Sequence, residues 1–320
     1  MRKTLLAALA VVALVHGPAL AADFPSETVR IVVGFTPGGS SDLVARLLAP
    51  TMAEDLGTPV IVENQPGAAS TIAGAAVAKA KPDGYTIFLS NVSASSIAPF
   101  TYKDLKYDPV ADFEDISVLG YIPAVLLANP KLPIASLADF VAYVKANPGT
   151  INFGSGGHGT MNHITGELLN LEAGLDMAHI AYKGSAEAMN DLLAGVIPFQ
   201  VDALTQNVGQ IKAGAVKALA ITTPQRSPAA PDVPTFSELG YPNIVAYNWV
   251  GLSAPKGTPP AVVDRLYAAI AKAMAKDEVK KQFEGWGMFH IGTNPAEAEA
   301  FVAAEIAKWG KVVKSSKAFQ

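Results

Sequence analysis

Short apolar runs alternate along this chain with longer segments whose apolar residues recur at helical spacing. The first such pair is a strand at residues 28–33 and a helix at 42–56, in which we expect Pro50 to cause a kink or end the first half. The other predicted strands are 59–63, 85–89, 151–153, 179–181, 196–203 and 215–221, and the other predicted helices are 71–80, 136–146, 161–173, 186–193, 260–275 and 296–314. This order is typical of an α/β fold with mostly parallel sheets.

Two segments, 116–128 and 245–254, are extended over an unusual length. They flank a compact middle block, and a chain that leaves one domain, builds a second and returns must cross between them twice. The sequence therefore predicts two α/β lobes joined by a two-segment hinge, with a ligand cleft between them. We place lobe 1 at residues 22–122 and 248–320, and lobe 2 at 123–247.

The N-terminus has the pattern of an export signal. Arg2 and Lys3 precede an apolar run at residues 4–15, and a small-residue cleavage pattern ends at Ala21. A membrane-spanning helix needs about 20 apolar residues, so this run is too short to be an anchor. We expect a signal peptide at 1–21 that is cleaved after Ala21, which would deliver the mature protein to the periplasm.

Composition excludes several classes of protein. With 50% hydrophobic and 16% charged residues the chain is not disordered. It has no Cys, which rules out disulfides, thiolate metal sites and a thiol nucleophile. The net charge of −4 speaks against nucleic acid as a partner. ATP and nicotinamides are scarce outside the cell membrane, and we expect no cofactor and no metal.

Three loops rich in Gly and Ser follow predicted strands, at residues 34–42, 90–96 and 154–160. Glycines let backbone N–H groups converge on an anion, and a following helix N-terminus adds about half a positive charge. The first loop has no Lys, so it is not a Walker A phosphate loop. The third matches G-x-G-x-x-G by letter, but Asp176 precedes the next strand instead of ending it, which argues against a dinucleotide. The alternative for the loop at 34–42 is a Gly turn with a Ser or Asp helix cap, and the alternative for 90–96 is a solvated Ser turn.

Signals for catalysis are weak. A nucleophile elbow would need Gly where this chain has Phe153, two residues before Ser155. A secreted hydrolase that uses Ser155, His158 and Asp202 is therefore a minor alternative, and we expect a protein that is not an enzyme.

Other polar and aromatic residues allow two interpretations each. His163 and His179 are expected to be structural. Asp202, near a strand end, could accept a hydrogen bond from a ligand or orient a loop amide. Trp249 could line the cleft or pack the hinge, and packing is favoured.

Eight strings in one order carry a family resemblance: FPSETVRIVVGFTPGGSSDLVARLL, VIVENQPGA, KPDGYTIF, YDPVADFEDISVLG, NPGTINFGSGG, AYKGSAEAMNDLLAG, PDVPTFSELGYP and WVGLSAP. On these strings the chain resembles the Bug (TctC-like) family of periplasmic solute receptors of tripartite tricarboxylate transporters. The resemblance implies a periplasmic binding protein type II fold. It also implies capture of a small organic carboxylate by lobe closure and delivery to inner-membrane transporter subunits. A receptor that signals to a membrane sensor is the alternative, and we expect a monomer because closure needs free lobes.

The resemblance also implies a set of ligand-binding residues, carried over by motif: Phe35, Thr36, Pro37, Gly38, Gly39, Ser40, Asp42, Ser90, Asn91, Ser93, Ser155, Gly156, Gly157, His158, Gly159, Thr160, Tyr182, Lys183, Ser185 and Asp202. Three positions depart from the family pattern. Gly34 stands where Pro is usual, Val92 ends a string that is often Gly-Thr-Asn, and His158 replaces a small or polar residue. A Val and an imidazole in the cleft suit an aromatic or longer-chain carboxylate.

Overall fold

A computed structural model describes residues 24–315 of the chain. The predicted signal peptide, 1–21, lies outside the described residues. Within the described part, no helix is both long and apolar enough to span a bilayer.

The ten described strands are β1 (Val29–Val33), β2 (Val60–Asn64), β3 (Thr86–Phe88), β4 (Phe113–Ala128), β5 (Ile151–Ser155), β6 (Met177–Ala181), β7 (Phe199–Ala203), β8 (Lys217–Ile221), β9 (Tyr247–Pro255) and β10 (Phe289–His290). The helices of the same part are α1 (Ser40–Leu56), α2 (Thr71–Ala78), α3 (Ala98–Thr101), α4 (Leu137–Ala146), α5 (Met161–Ala173), α6 (Ser185–Ala194), α7 (Leu204–Lys212), α8 (Pro260–Ala275), α9 (Asp277–Gly285) and α10 (Pro295–Ser315).

The strands form one mixed sheet in the order β2-β1-β3-β9-β4-β7-β5-β6, and β8 and β10 also pair with β4. Strand β1 is parallel to β2 and β3, and β5 is parallel to β6 and β7. Every pair that involves β4 or β9 is antiparallel. The expectation of mostly parallel strands is therefore wrong for the middle of the sheet, where the two long extended segments, β4 and β9, pair with each other in antiparallel orientation.

Strand β4 joins the two parallel regions. From Phe113 to Pro123 it pairs with β9, and from Ala124 to Ala128 it pairs with β7 and β8. The long strands β4 and β9 thus connect the two regions that carry the loops.

Local sequence signals explain single elements. The predicted Ser cap of α4 is confirmed, since Ser136 Oγ accepts a hydrogen bond from the Asp139 N–H at 3.1 Å and Asp139 in return accepts from the Ser136 N–H at 3.0 Å. Phe140 and Val144 lie on the buried face of the helix. Phe140 packs edge-on against Phe199 of β7, with ring centroids 4.7 Å apart.

Two expectations are corrected. Helix α1 continues through Pro50, so Pro50 does not end its first half; Pro50 lies on the exposed face of the helix, and Leu48 and Met52 lie on the buried face. The Ser-rich segment 90–96 is not a solvated loop. It leads into a π-helical turn, Ser93–Ile97, because Val92 and Ile97 are buried in an apolar cluster with Trp249. Helices α7 and α9 were not predicted, since their apolar residues are few.

Candidate functional site

A cavity of about 670 Å³ lies at the carboxyl ends of the parallel strands. Its wall comes from the segments that follow β1, β2, β3, β5, β6 and β7, together with part of β9. Loops at this edge of an open α/β sheet are where ligands bind in such folds. The topology therefore brings the Gly-rich and Ser-rich segments of the sequence to one place.

Most of the residues expected at a site line this cavity: Phe35, Thr36, Pro37, Gly38, Gly39, Ser40, Asn91, Ser93, Gly156, Gly157, His158, Thr160, Tyr182, Lys183 and Ser185. Others are outside the lining: Asp42, Ser90, Ser155, Gly159 and Asp202. Each of these lies behind or beside the wall, and the contacts of Asp42, Ser155 and Asp202 indicate a supporting role.

Asp42 shapes the loop between β1 and α1. Its buried carboxylate accepts hydrogen bonds from the Gly38 N–H and from Asn64 Nδ2, both at 2.9 Å, and pairs with Arg46. Burial opposes ionisation, but the bonds from Arg46, Gly38 and Asn64 outweigh it and hold the pKa of Asp42 below its usual value. The loop backbone is thereby fixed while the N-cap residue of α1, Gly39, supplies no side-chain cap.

A second helix starts at the same cavity. Gly184 is the N-cap residue of α6 and likewise supplies no side-chain cap. A Cβ on Gly184 would lie 3.7 Å from Thr36 Oγ1, so the loop before α6 approaches the loop before α1. Among the described lining residues, Lys183 is the one with a formal charge. The polar end of the cavity is thus made of two helix N-termini and one cation.

Asp202 supports this end from behind. Its carboxylate is buried and accepts hydrogen bonds from Ser185 Oγ at 2.6 Å, Asn162 Nδ2 at 3.1 Å, Asn207 Nδ2 at 3.0 Å, Gln200 Nε2 at 3.2 Å and the Ala203 N–H at 2.8 Å. Burial raises the pKa of Asp202, while the bonds from Asn207, Ser185 and Ala203 act the other way. Of the two interpretations of Asp202, this contact set supports the one in which it orients its neighbours.

Ser155 is not available as a nucleophile. Its side chain is fully buried, outside the cavity lining, and its hydroxyl lies 2.7 Å from His179 Nε2. The hydrolase hypothesis needs an accessible Ser155 beside His158, so the geometry contradicts it.

Two histidines stack behind the loop at 156–160, and a third, His158, belongs to the loop itself. The rings of His163 and His179 are 3.7 Å apart at 15°, and His158 lies 5.0 Å from His163 on the cavity side. His163 Nδ1 accepts a hydrogen bond from the Gly159 N–H at 3.1 Å, which fixes the loop. Burial, together with the neighbouring imidazoles, lowers the pKa of His163 to about 2 and that of His179 to about 4, so both are neutral near pH 7.

Several lining residues escaped prediction: Pro66, Gly67, Ala68, Ala69, Ser70, Tyr102, Asn162, Gly184, Ala186, Ala203, Gln206, Asn248 and Val250. Gly34 and Ser41 also line the cavity and belong to the predicted loop at 34–42, although neither was among the predicted ligand contacts. The position of 66–70 after β2 could have been a signal, because it ends a strand as the other loops do. Val92, noted as a departure from the family pattern, also lines the cavity. Trp249 does so too, although it is fully buried and packs edge-on against Phe301 at 5.7 Å.

The segment after β2 has an uncommon backbone. Ala68, Ala69 and Ser70 have φ angles of 46°, 52° and 76°, a region that costs non-Gly residues about 1 kcal/mol or more each. Asn91 Nδ2 donates to Ser70 Oγ at 3.0 Å and helps to hold this left-handed turn. A Cβ on Gly34 would lie 1.8 Å from Ser70 Oγ, so the turn requires Gly at this position.

Comparison with known proteins gives consistent matches. Residues 44–317 match the family model described as "Tripartite tricarboxylate transporter family receptor". The chain is 37% identical over 305 residues to protein BugT of Bordetella pertussis, covering 95% of this chain and 94% of BugT. It superimposes on periplasmic binding protein BugD with a TM-score of 0.86 at 36% identity, covering 91% and 98% of the two chains. MatC of Rhodopseudomonas palustris, solved with bound malate, gives 0.85 at 33% identity, covering 90% and 99%.

Proposed function

The chain belongs to the tripartite tricarboxylate transporter receptor family of periplasmic solute-binding proteins, and on this premise we propose that its cavity captures a small organic carboxylate for an inner-membrane transporter. One observation carries the proposal. Helices α1 and α6 begin at the same cavity, and their N-cap residues, Gly39 and Gly184, supply no side-chain cap. The first-turn carboxylates of Asp42 and Glu187 accept hydrogen bonds from the N–H groups of Gly38 and Lys183, which precede the helices.

The physical reason is the charge of a helix end. Each N-terminus carries about half a positive charge and backbone N–H groups without partners inside the helix. A carboxylate offers two oxygens with several lone pairs, so it can accept from both helices and stand beside Lys183. Such charge-assisted bonds are stronger where the cavity excludes water.

Closure follows from the same geometry. Helix α1 belongs to the proposed lobe 1, 22–122 with 248–320, and α6 belongs to the proposed lobe 2, 123–247. A carboxylate that bonds to both helices draws the lobes together about β4 and β9, which serve as the hinge. We propose a periplasmic monomer, released by cleavage after Ala21, because closure needs both lobes free.

The proposed ligand class rests on the charge of the cavity lining and on the ligand of a related protein. MatC, 33% identical to this chain, was solved with malate, a hydroxydicarboxylate. In this chain the described lining has one formal cation, Lys183, and the aromatic rings of Tyr102, His158 and Trp249. These features support a mono- or dicarboxylate whose body is partly apolar.

A thermal-shift screen tests the proposal. The protein is first unfolded and refolded to remove carried-over ligand, and is then exposed to mono-, di- and tricarboxylates, aromatic carboxylates, amino acids and their amides. A ligand at 100 times its dissociation constant stabilises by about 2.7 kcal/mol, which raises the Tm by roughly 4–5 °C for a chain of this size. The amide of the best carboxylate serves as the matched control and should give no shift. Shifts with amides but with no carboxylate would refute the proposal.

A further inference from the structure

Tyr102 borders two cavities. It lines the cavity described above and also a second one of about 250 Å³, which lies between α2 and the segment after α3. The second cavity is lined by the apolar side chains of Ile72, Ala75 and Leu105, with Asp104 and Lys106 beside them. These two charges are opposite in sign, so the second cavity has no net preference for an anion.

The two cavities adjoin each other. Ser70 lines the first cavity and the next residue, Thr71, lines the second. Tyr102 is the one residue that the two described linings share. We therefore expect truncation of this side chain to join the two spaces.

The Tyr102 ring reaches across to the loop that follows β5. Its hydroxyl donates to the His158 carbonyl oxygen at 3.2 Å, and a Cβ on Gly159 would lie 3.1 Å from Tyr102 Cε2. The ring also meets the His158 imidazole edge-on, with centroids 6.5 Å apart. These contacts keep the ring at the boundary of the cavity, where the body of a ligand would end.

We propose that Tyr102 limits the length of the ligand by closing the main cavity against the second one, an inference that rests on the proposed function. A carboxylate held at α1 and α6 would extend its chain toward Tyr102. Chains that fit in the main cavity are accepted, and longer chains meet the ring. Because the second cavity is lined by methyl-bearing side chains, removal of the ring opens a space that suits methylene groups.

Isothermal titration with unbranched monocarboxylates, from butanoate to decanoate, tests this role. In the wild-type protein the affinity should rise with chain length to a limit and then fall. In Tyr102→Ala the limit should move to longer chains, and each added methylene should tighten binding about fourfold. Tyr102→Phe keeps the ring and loses the bond to His158, so its limit should match the wild type.

Two further variants serve as controls. Ala75→Ser changes the lining of the second cavity but not that of the main one, and it should leave the wild-type series unchanged. Leu105→Trp added to Tyr102→Ala refills the second cavity and should restore the original limit. A folded Tyr102→Ala protein with an unchanged limit would overturn the inference, even if it binds every ligand more weakly. Binding of no carboxylate by the wild-type protein would instead refute the proposed function, and this inference with it.

Discussion

Acidification from about pH 7 to about pH 5 should destabilise the protein through the stacked pair His163 and His179. Burial and neighbouring imidazoles lower their pKa values to about 2 and about 4, whereas a histidine in an unfolded chain titrates near 6.5. Below about pH 6.5 the unfolded chain therefore binds protons that the folded protein excludes. The contribution of the neutral histidine pair to the free energy of unfolding is fully present above that pH and is lost as the pH falls. Glu167 Oε1 lies 3.8 Å from His163 Nε2, and the pKa of His163 is lowered all the same, chiefly because the ring is buried.

The size of the effect follows from linkage. At about pH 5 each buried histidine lowers the free energy of unfolding by about 2 kcal/mol, or about 4 kcal/mol for the pair. Asp115 acts in the opposite direction, because burial raises its pKa to about 6 and the folded protein takes up that proton first. This proton uptake by Asp115 stabilises the folded protein and offsets about 1 kcal/mol of the loss at pH ~5. From these three groups together, the free energy of unfolding of the wild-type protein should fall by about 2–3 kcal/mol between about pH 7 and about pH 5.

Urea unfolding at both pH values measures the effect, with the double variant His163→Asn/His179→Gln as the comparison. The amides keep polar atoms near Gly159 and Ser155 but do not titrate, so the double variant should lose about 4 kcal/mol of pH dependence. His290→Asn, at an exposed ring, is the matched control and should behave as the wild type. A double variant that is destabilised by acid as strongly as the wild type would refute the reasoning.

Three other changes have definite expected results. Gly34→Ala should destabilise by about 1–3 kcal/mol in urea unfolding, because its Cβ would lie 1.8 Å from Ser70 Oγ. Lys183→Gln should weaken carboxylate binding about tenfold by titration calorimetry, since it removes the formal charge from the described lining, and the loss should shrink at high salt. Asp202→Asn should destabilise by about 3 kcal/mol in urea unfolding, because an amide would turn an N–H toward donors such as Ser185 Oγ.

Matched variants separate these effects from general damage. Gly209→Ala adds a Cβ in α7 with nothing within 4 Å and should not destabilise. Lys212→Gln and Asp232→Asn remove exposed charges away from the described lining and should leave affinity and stability unchanged. Equal losses in a test variant and its control would contradict the reasoning for that site.

Elements with strong local signals could be predicted from the sequence. The capping box at Ser136 and the helical spacing around Leu48 each belong to a single stretch of chain. The long strands β4 and β9 were recognised from their length, but not their antiparallel pairing, because register depends on contacts distant in sequence. The π-helical turn after Val92 was missed for a similar reason, since burial against other helices decides it.

For the candidate site, too, local features could be predicted from the sequence and long-range contacts could not. The Gly-rich loops were recognisable because their composition suits close approach to an anion. Tyr102 could not be recognised, because its role depends on a loop that contains His158, 56 positions further along the chain. Asp202 was identified as a polar residue at a strand end, yet three of its donors come from three other helices. Local patterns thus indicated which loops matter and not which side chains support them.

A crystal structure with the carboxylate that gives the largest thermal shift is the most direct test of the central claim. One carboxylate should lie between the N-termini of α1 and α6, with oxygens about 3 Å from backbone N–H groups of both helices and the ligand body extending toward Tyr102. A carboxylate bound by one helix alone, or a ligand bound outside the cavity, would contradict the claim.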